Sequence, residues 1–357
     1  MNILFVNATN GWAGIKTWMV ELATFLFQRG HNVAIVCREQ DLLIHECAQR
    51  KIPCYPFHFG MDFSFRSIWW FFKLFGIQQT DVIITNVSKG IRTAGVAAKL
   101  RGIAHINRLG NYGDIRDTFK IRFLYRLLVD TVIVPSQGLL RFFMGYDFLR
   151  SKLRQFPNAV IPPPLTLLNN SPIRFAIVAN LSQRKQVDKI LHVFSKLSEL
   201  PWELFIGGDG PELERLIRLT QELHLEQRVH FSTPENRSGF RKVNPYEFLQ
   251  DKDVGILYST QEGLPNVLIE YMALSCAVIA SNIEGNREVI EHGENGLLVD
   301  PHNPTELEGA IRQLINAPRQ RNDFIRKGYE TVLERFHQTR VFIRVEEEIA
   351  RTIAHNQ

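Results

Sequence analysis

Short runs rich in β-branched residues, each followed by a helical pattern, recur from one end of the chain to the other, and this alternation most restricts its fold. In the front half the runs are "NILFVNA", "NVAIVC", "DVIITN", "IAHINRL" and "DTVIVPS", with helical stretches such as "WMVELATFLFQRG" between them. Strands alternating with helices predict a parallel sheet covered on both faces. The first helix is expected to stop at Gly30, a C-terminal cap ahead of a strand from Asn32.

The pattern breaks at "FPNAVIPPPLTLLNNSP", residues 156–172, and then restarts with "IRFAIVANL", "ELFIGG", "VHFST", "VGILYS", "CAVIAS" and "GLLVD". With 357 residues, 45% of them hydrophobic and 22% charged, both halves can bury a core. The expectation is therefore two doubly wound α/β domains, 1–165 and 172–335, with a final helix over 338–357 packing back on the front domain. In such sheets ligands sit beyond the carboxyl ends of the strands, which selects the loops after Ala8, Asn180, Gly207, Ser259 and Ser281. Two facing crevices would make one cleft.

The apolar stretches fall short of the roughly 18 residues that a membrane span requires. The chain opens directly on "MNILFVNAT" without a charged leader, so a cytoplasmic location is expected, with peripheral attachment to the inner membrane face as its extension. Cys37, Cys47, Cys54 and Cys276 form no C-x-x-C pair and have no histidine at metal-ligand spacing, which predicts buried free thiols. Residues 1–165 carry 20 Lys and Arg against 10 Asp and Glu, whereas the remainder carries 22 against 27. A basic front half suits nucleic acid, anionic lipid or an anionic substrate, and charge alone does not separate these.

Within "QEGLPNVLIEYMALSCAVIAS", residues 261–281, Gly263 and Pro265 forbid a helix running from Glu262 to Glu270. The helix is expected to start near Pro265, leaving Glu262 in the preceding loop and Glu270 about a turn and a half in. Free backbone N–H groups around Asn266 and Val267 would then point at whatever occupies the loop, making an anion site with an acid on each side. A nucleoside diphosphate sugar asks for this mixture: hydroxyls at both ends for carboxylates, and phosphates between them for cations and helix N-termini.

"STQEGLPNVLIEYMALSCAVIAS", with "GENGLLVDPHNP" downstream, resembles the E-x7-E motif of the retaining glycosyltransferases of GT-B fold, family 4, also called group 1. "ANLSQRKQVDKIL", "IGGDGPELERL" and "AGIKTWMVELATFLFQRGHNV" are similar to three further motifs of that family, in the same order. The resemblance covers almost the whole chain and implies two Rossmann-like domains facing each other across a cleft. It implies that Lys185 neutralises the donor diphosphate, Glu270 binds the ribose and Glu262 contacts the transferred sugar. It also implies donor contacts from Gly14 in the opening loop, from Gly208 and Gly210 near the base, and from the loop Gly263, Leu264, Pro265, Asn266 and Val267.

The chain departs from the family at several positions. Asn180 stands where an arginine is usual, and Arg184 is the candidate substitute, giving Glu262, Lys185 and Arg184 as the expected catalytic set and Asn180 as a donor contact. Ala13, Gln186 and Glu284 replace glycines, and Arg108, Leu109 and Gly110 occupy the place of a histidine beside the sugar, with His105 expected to point into the sheet. Arg108 and Asn111 are the acceptor-side candidates.

Glycosyl transfer needs the leaving group stabilised and an acceptor hydroxyl positioned, which these parts supply without a metal or other cofactor. The resemblance implies retention, with a lipid-linked or polysaccharide acceptor, as in lipopolysaccharide or capsule assembly. The front domain carries "FHFGMDFSFRSIWWFFKLFG", residues 57–76, with Arg66 and Lys73 among aromatics, and "RLGNYGDIRDTFKIRFLYR" adds Arg116, Lys120, Arg122 and Arg126. That mixture suits an anionic membrane surface or a lipid-linked acceptor; alternatively Trp69, Trp70, Phe71 and Phe72 are core. No nucleic-acid motif accompanies the charge. "GWAG" and "GGDGPE" do not form a dinucleotide-binding G-x-G-x-x-G, so a dehydrogenase is disfavoured. The alternatives left are a nucleotide-sugar epimerase or hydrolase of the same fold, or a non-catalytic relative. The residues leave the nucleotide, the sugar and the oligomeric state open.

Overall fold

The computed structural model describes residues 1–9, 14–39, 42–86, 88–232 and 244–356. They form two compact units, Met1–Asn158 with Thr339–Gln357, and Ala159–Gln338.

The first unit is built on a seven-stranded parallel sheet of β1 (Asn2–Val6), β2 (Asn32–Arg38), β3 (Cys54–Phe57), β4 (Val82–Thr85), β5 (Ala104–Arg108), β6 (Thr131–Val134) and β7 (Leu153–Gln155), in the order β3-β2-β1-β4-β5-β6-β7. β4, β5 and β6 are buried along their whole length, as strands covered on both faces must be. The chain moves one way from β1 to β3 and the other way from β3 to β7. Right-handed crossovers therefore place Gly14–Gln28 and Leu42–Gln49 on one face, and Phe65–Ile77, Val96–Arg101, Phe119–Leu128 and Gln137–Met144 on the other. Ser64, Thr118 and Ser136 cap three of the latter helices through their hydroxyls.

The first face would be bare beyond β1 without the terminal helix Gln338–Asn356. Its Phe342 packs edge-on against Phe25 at 5.6 Å, and its Glu346 accepts from Arg29 at 2.6 Å. Further along, Arg154 reaches Glu348 at 3.0 Å and the Thr131 and Thr352 hydroxyls lie 3.0 Å apart, which carries the helix across to β6 and β7. None of the four cysteines is in a disulfide, yet they are not scattered: the Cys37 and Cys54 sulfurs are 3.4 Å apart across β2 and β3, and hydrogen bonding with Cys54, together with burial, pushes the Cys47 thiol pKa up.

The second unit carries β8 (Ile173–Val178), β9 (Trp202–Gly207), β10 (Val229–Ser232), β11 (Val254–Leu257), β12 (Ala277–Ser281) and β13 (Leu297–Val299), all parallel, in the order β10-β9-β8-β11-β12-β13. Its core is centred on Phe175, Phe194 and Trp202. The seam lies between Asn158 and Ala159 because the proline-rich stretch is bonded into this unit. Val160 exchanges backbone bonds with Phe336 and Gln338, Thr166 N donates to Ser275 Oγ at 3.0 Å, and Asn170 Nδ2 donates to Asp253 Oδ2 at 3.0 Å.

Candidate functional site

The order of the second sheet reverses at β8, whose neighbours are β9 and β11, so the crevice beyond the carboxyl ends of β8 and β11 is where sheets of this kind take a ligand. Tyr271 widens it. The two strands pair only through Phe175 and Ala176; beyond that, Val178 N donates 2.8 Å to Tyr271 Oη, which donates in turn to Ile256 O at 3.5 Å. A fully buried phenol thus substitutes for the missing ladder. Tyr271→Phe leaves that amide unpaired and is expected to lower stability by about 1–2 kcal/mol in urea unfolding, an expectation lost if the variant matches the wild type.

The loops that border this crevice are cross-tied. Thr260 N donates to Arg184 O at 3.0 Å, Leu181 N to Asp209 O at 2.9 Å, and Ser281 Oγ to Ser259 O at 2.6 Å. Gly208 and Gly210 sit at φ +138° and +156° against the Ala179–Leu181 backbone, so close that a Cβ on Gly208 would overlap the Ala179 carbonyl oxygen. Gly285 approaches the Glu262–Gly263 backbone, where a Cβ would lie 2.6 Å from Glu262 O. Position 285 therefore has no room for a side chain.

This framework brings three of the expected residues together. Lys185 Nζ donates to Glu262 Oε1 at 2.5 Å, with side chains only 11% and 10% exposed. Arg184 is more exposed; its Nη1 lies 3.7 Å from Glu262 Oε2 and donates to Gln261 O at 2.7 Å. Two cations therefore share one carboxylate beside the helix Asn266–Ala273, which begins after Pro265. Burial of that pair is sustainable only because the charges meet directly. Gly263, Leu264 and Pro265 are buried, Asn266, Val267 and Glu270 half-buried, and Asn180 is exposed. Gln186 takes the left-handed conformation at φ 48°, which accounts for the glycine usual at that position.

Two family models match in succession: glycosyltransferase family 4 over residues 12–162 and glycosyl transferases group 1 over residues 165–331. The chain belongs to the group 1 glycosyltransferases. Among curated relatives, it is 28% identical over 165 residues to N-acetyl-alpha-D-glucosaminyl L-malate synthase of Bacillus anthracis, covering 46% of this chain and 42% of that one. It is 37% identical over 135 residues to the lipopolysaccharide core biosynthesis glycosyltransferase LpsD of Rhizobium meliloti, covering 38% and 37%. The chain thus spans less than half the length of these two relatives. Anabaena HepE in complex with UDP superposes with a TM-score of 0.82 over 98% of this chain and 100% of that one, at 19% identity. A glycosyltransferase from Rickettsia africae superposes with a TM-score of 0.84 over 99% of each chain, at 18% identity. The fold is GT-B, with two Rossmann-like parallel sheets.

The remaining candidates lie in the first unit. Gly14 is the exposed first residue of the helix Gly14–Gln28, while Ala13 falls outside the described residues. Arg108 is 3% exposed, lies over the Trp18 ring at 4.4 Å and donates from Nη2 to Asn158 Oδ1 at 2.6 Å. Burial presses its pKa downward, Asp114 opposes this, and a guanidinium remains charged at neutral pH. Asn111 is exposed, and its backbone N donates to Asp114 Oδ2 at 3.0 Å.

His105 is wholly committed to the core of the first unit. Its Nδ1 must carry the proton, because it faces the Leu128 carbonyl, so Nε2 accepts from Thr85 Oγ1 at 2.8 Å. Asn107 Nδ2 donates to Thr85 Oγ1 at 2.9 Å, and Tyr125 Oη to Asn107 Oδ1 at 2.9 Å, which closes a satisfied buried chain. Burial lowers the His105 pKa to about 4, against 6.5 for the free side chain. The unfolded chain therefore binds the extra proton between these values, and stability is lost as pH falls from 6.5 towards 4, by about 3 kcal/mol from this group. Urea titrations across that window should show a shallower loss in His105→Gln; equal slopes would contradict the assignment.

Proposed function

We propose that the chain transfers a sugar from a nucleoside diphosphate sugar to a hydroxyl of a lipid-linked or polysaccharide acceptor, with retention of configuration. The observation that carries this reading is the shielded Lys185–Glu262 pair, joined by Arg184, at the switch point of the second sheet. Two cations around one carboxylate leave a surplus positive charge, complementary to a diphosphate. The N–H groups at the start of the helix Asn266–Ala273 add to it.

In this reading the donor takes Lys185 and Arg184 for its phosphates, and Glu262, partly released, accepts from hydroxyls of the transferred sugar. Glu270, one turn inside the helix and half-buried, takes the ribose diol. Gly208 and Gly210 border the base, and Asn180 contacts the donor where the family usually has an arginine. Charge developing on the leaving diphosphate meets cations already fixed in place, so little reorganisation is required as the bond breaks. The leaving phosphate accepts the proton of the incoming hydroxyl. These cations carry the charge that a divalent metal would otherwise hold, and activity is expected to persist in chelator. Arg108 and Asn111 are proposed to face the acceptor. HepE was solved with UDP and with UDP-glucose, and LpsD acts in lipopolysaccharide core biosynthesis; both favour a UDP-sugar donor and a bacterial glycan acceptor here.

The test is a panel of UDP-, GDP-, ADP- and TDP-sugars in thermal shift, followed by nucleotide release with and without a glycan acceptor. A cognate donor at 100 times its Kd adds about 2.7 kcal/mol. Release that depends on acceptor supports transfer; release from donor alone, with water taking the sugar, indicates a hydrolase or a hydrolysing epimerase, and no shift with any donor ends the reading.

A further inference from the structure

The four helices that share one face of the first sheet have a composition that the transfer chemistry does not use. Phe65–Ile77, Val96–Arg101, Phe119–Leu128 and Gln137–Met144 contain lysine or arginine in every case and not one aspartate or glutamate. They also expose large apolar side chains on the side away from the core. Phe119–Leu128 buries Ile121, Leu124, Tyr125 and Leu128 inward, yet also presents Phe119, Phe123 and Leu127, 83%, 57% and 46% exposed, as a second apolar stripe four residues apart. A helix needs only one such stripe to pack on a sheet.

Phe65–Ile77 repeats the pattern. Phe71, Leu74 and Phe75 are buried, while Phe65, 80% exposed, stacks on Trp69, and Trp69 on Phe72, with interplanar angles of 9° and 5°. Lys73 lies 5.4 Å over Trp69 and Arg101 3.9 Å over Phe72, so cations edge the aromatic ladder and tie it to the neighbouring helix. That helix in turn contacts Phe119–Leu128, which makes the patches neighbours on one surface.

We infer that this face is an interfacial docking surface for an anionic phospholipid bilayer. Aromatic side chains settle at the headgroup level and lysines and arginines pair with anionic headgroups, so a bilayer satisfies both halves of the composition. A second copy docked on the same face would set cations against cations, and nucleic acid would leave Phe65 and Phe119 in water. Resting on the glycosyl-transfer reading, the bilayer would also present a lipid-linked acceptor to the unit proposed to receive it.

The experiment is co-sedimentation of the full chain with vesicles of phosphatidylglycerol and phosphatidylethanolamine, and with phosphatidylcholine alone. Binding is expected to the first, falling steeply with salt, and much less to the second. Phe65→Ser/Phe119→Ser/Phe123→Ser keeps every charge, and Lys120→Glu/Arg126→Glu keeps every aromatic; each is expected to weaken partition on the order of tenfold or more. All of these side chains are exposed, and unchanged circular dichroism would show that folding is intact. Wild-type protein left in the supernatant of anionic vesicles, or partition indifferent to both variants, overturns the inference. So does a size-exclusion shift from dimer to monomer in the serine variant without loss of lipid binding. The donor thermal shift, read on the same proteins, separates this outcome from failure of the transfer reading.

Discussion

Lys185→Ala is expected to lower acceptor-dependent nucleotide release by between about a hundredfold and a thousandfold, the usual loss when one preorganised group facing developing charge is removed. Lys185 is 11% exposed and held 2.5 Å from Glu262, so its ammonium is already largely desolvated and fixed in place before a phosphate arrives. Arg184, 43% exposed and 3.7 Å from the same carboxylate, is held less firmly, and Arg184→Ala should lose less. The alanine variant also leaves Glu262 without its close partner, so Lys185→Arg, which retains the charge, serves as the folding control. Donor thermal shift and steady-state rates should fall together in Lys185→Ala. Activity within tenfold of the wild type, with an unchanged donor shift, would remove this residue from the site.

Gly208→Ala is expected to be the most disruptive single methyl addition in the second unit. At φ +138° an L side chain is strained, and here its Cβ would also overlap the Ala179 carbonyl, a backbone atom fixed by the bond from Ala179 N to Gly207 O at 3.0 Å. Either β9 or the loop after β8 must shift, and that loop leads directly to Lys185. A loss of about 3 kcal/mol or more, with loss of the donor shift, is the expected result in urea unfolding. Gly293→Ala is the matched control, because φ is +81° there and nothing lies within 4 Å of the added carbon, leaving only the backbone penalty of about 1 kcal/mol. Similar losses in the two variants would show that the approach of the loops does not matter.

The features legible in the sequence were those set by neighbours. The β/α alternation, the stop at Gly30 with φ +85°, and the break at Pro265 before Asn266–Ala273 all follow from residues within a few positions of each other. The pairing of Lys185 with Glu262 spans 77 positions and was reachable only through the likeness of separate motifs to a family. Tyr271 gave no signal, because an aromatic in an apolar helix looks like any core residue until β8 and β11 are seen to part around its hydroxyl. The run Trp69–Phe72 was ambiguous for the same reason. Only packing decided that Phe71 is fully buried and Trp69 48% exposed.

By itself, then, the chain determined the class of fold and which loops lie at the carboxyl ends of the strands. Period, proline and glycine act through local backbone geometry, and no partner at a distance is needed to read them. The tertiary structure decided which loops touch and which side chains leave water. It bonded the proline-rich segment into the second unit and sent the terminal helix from Thr339 back to the first. Those choices depend on contacts between residues far apart in sequence, whose energies exist only once the sheets have formed.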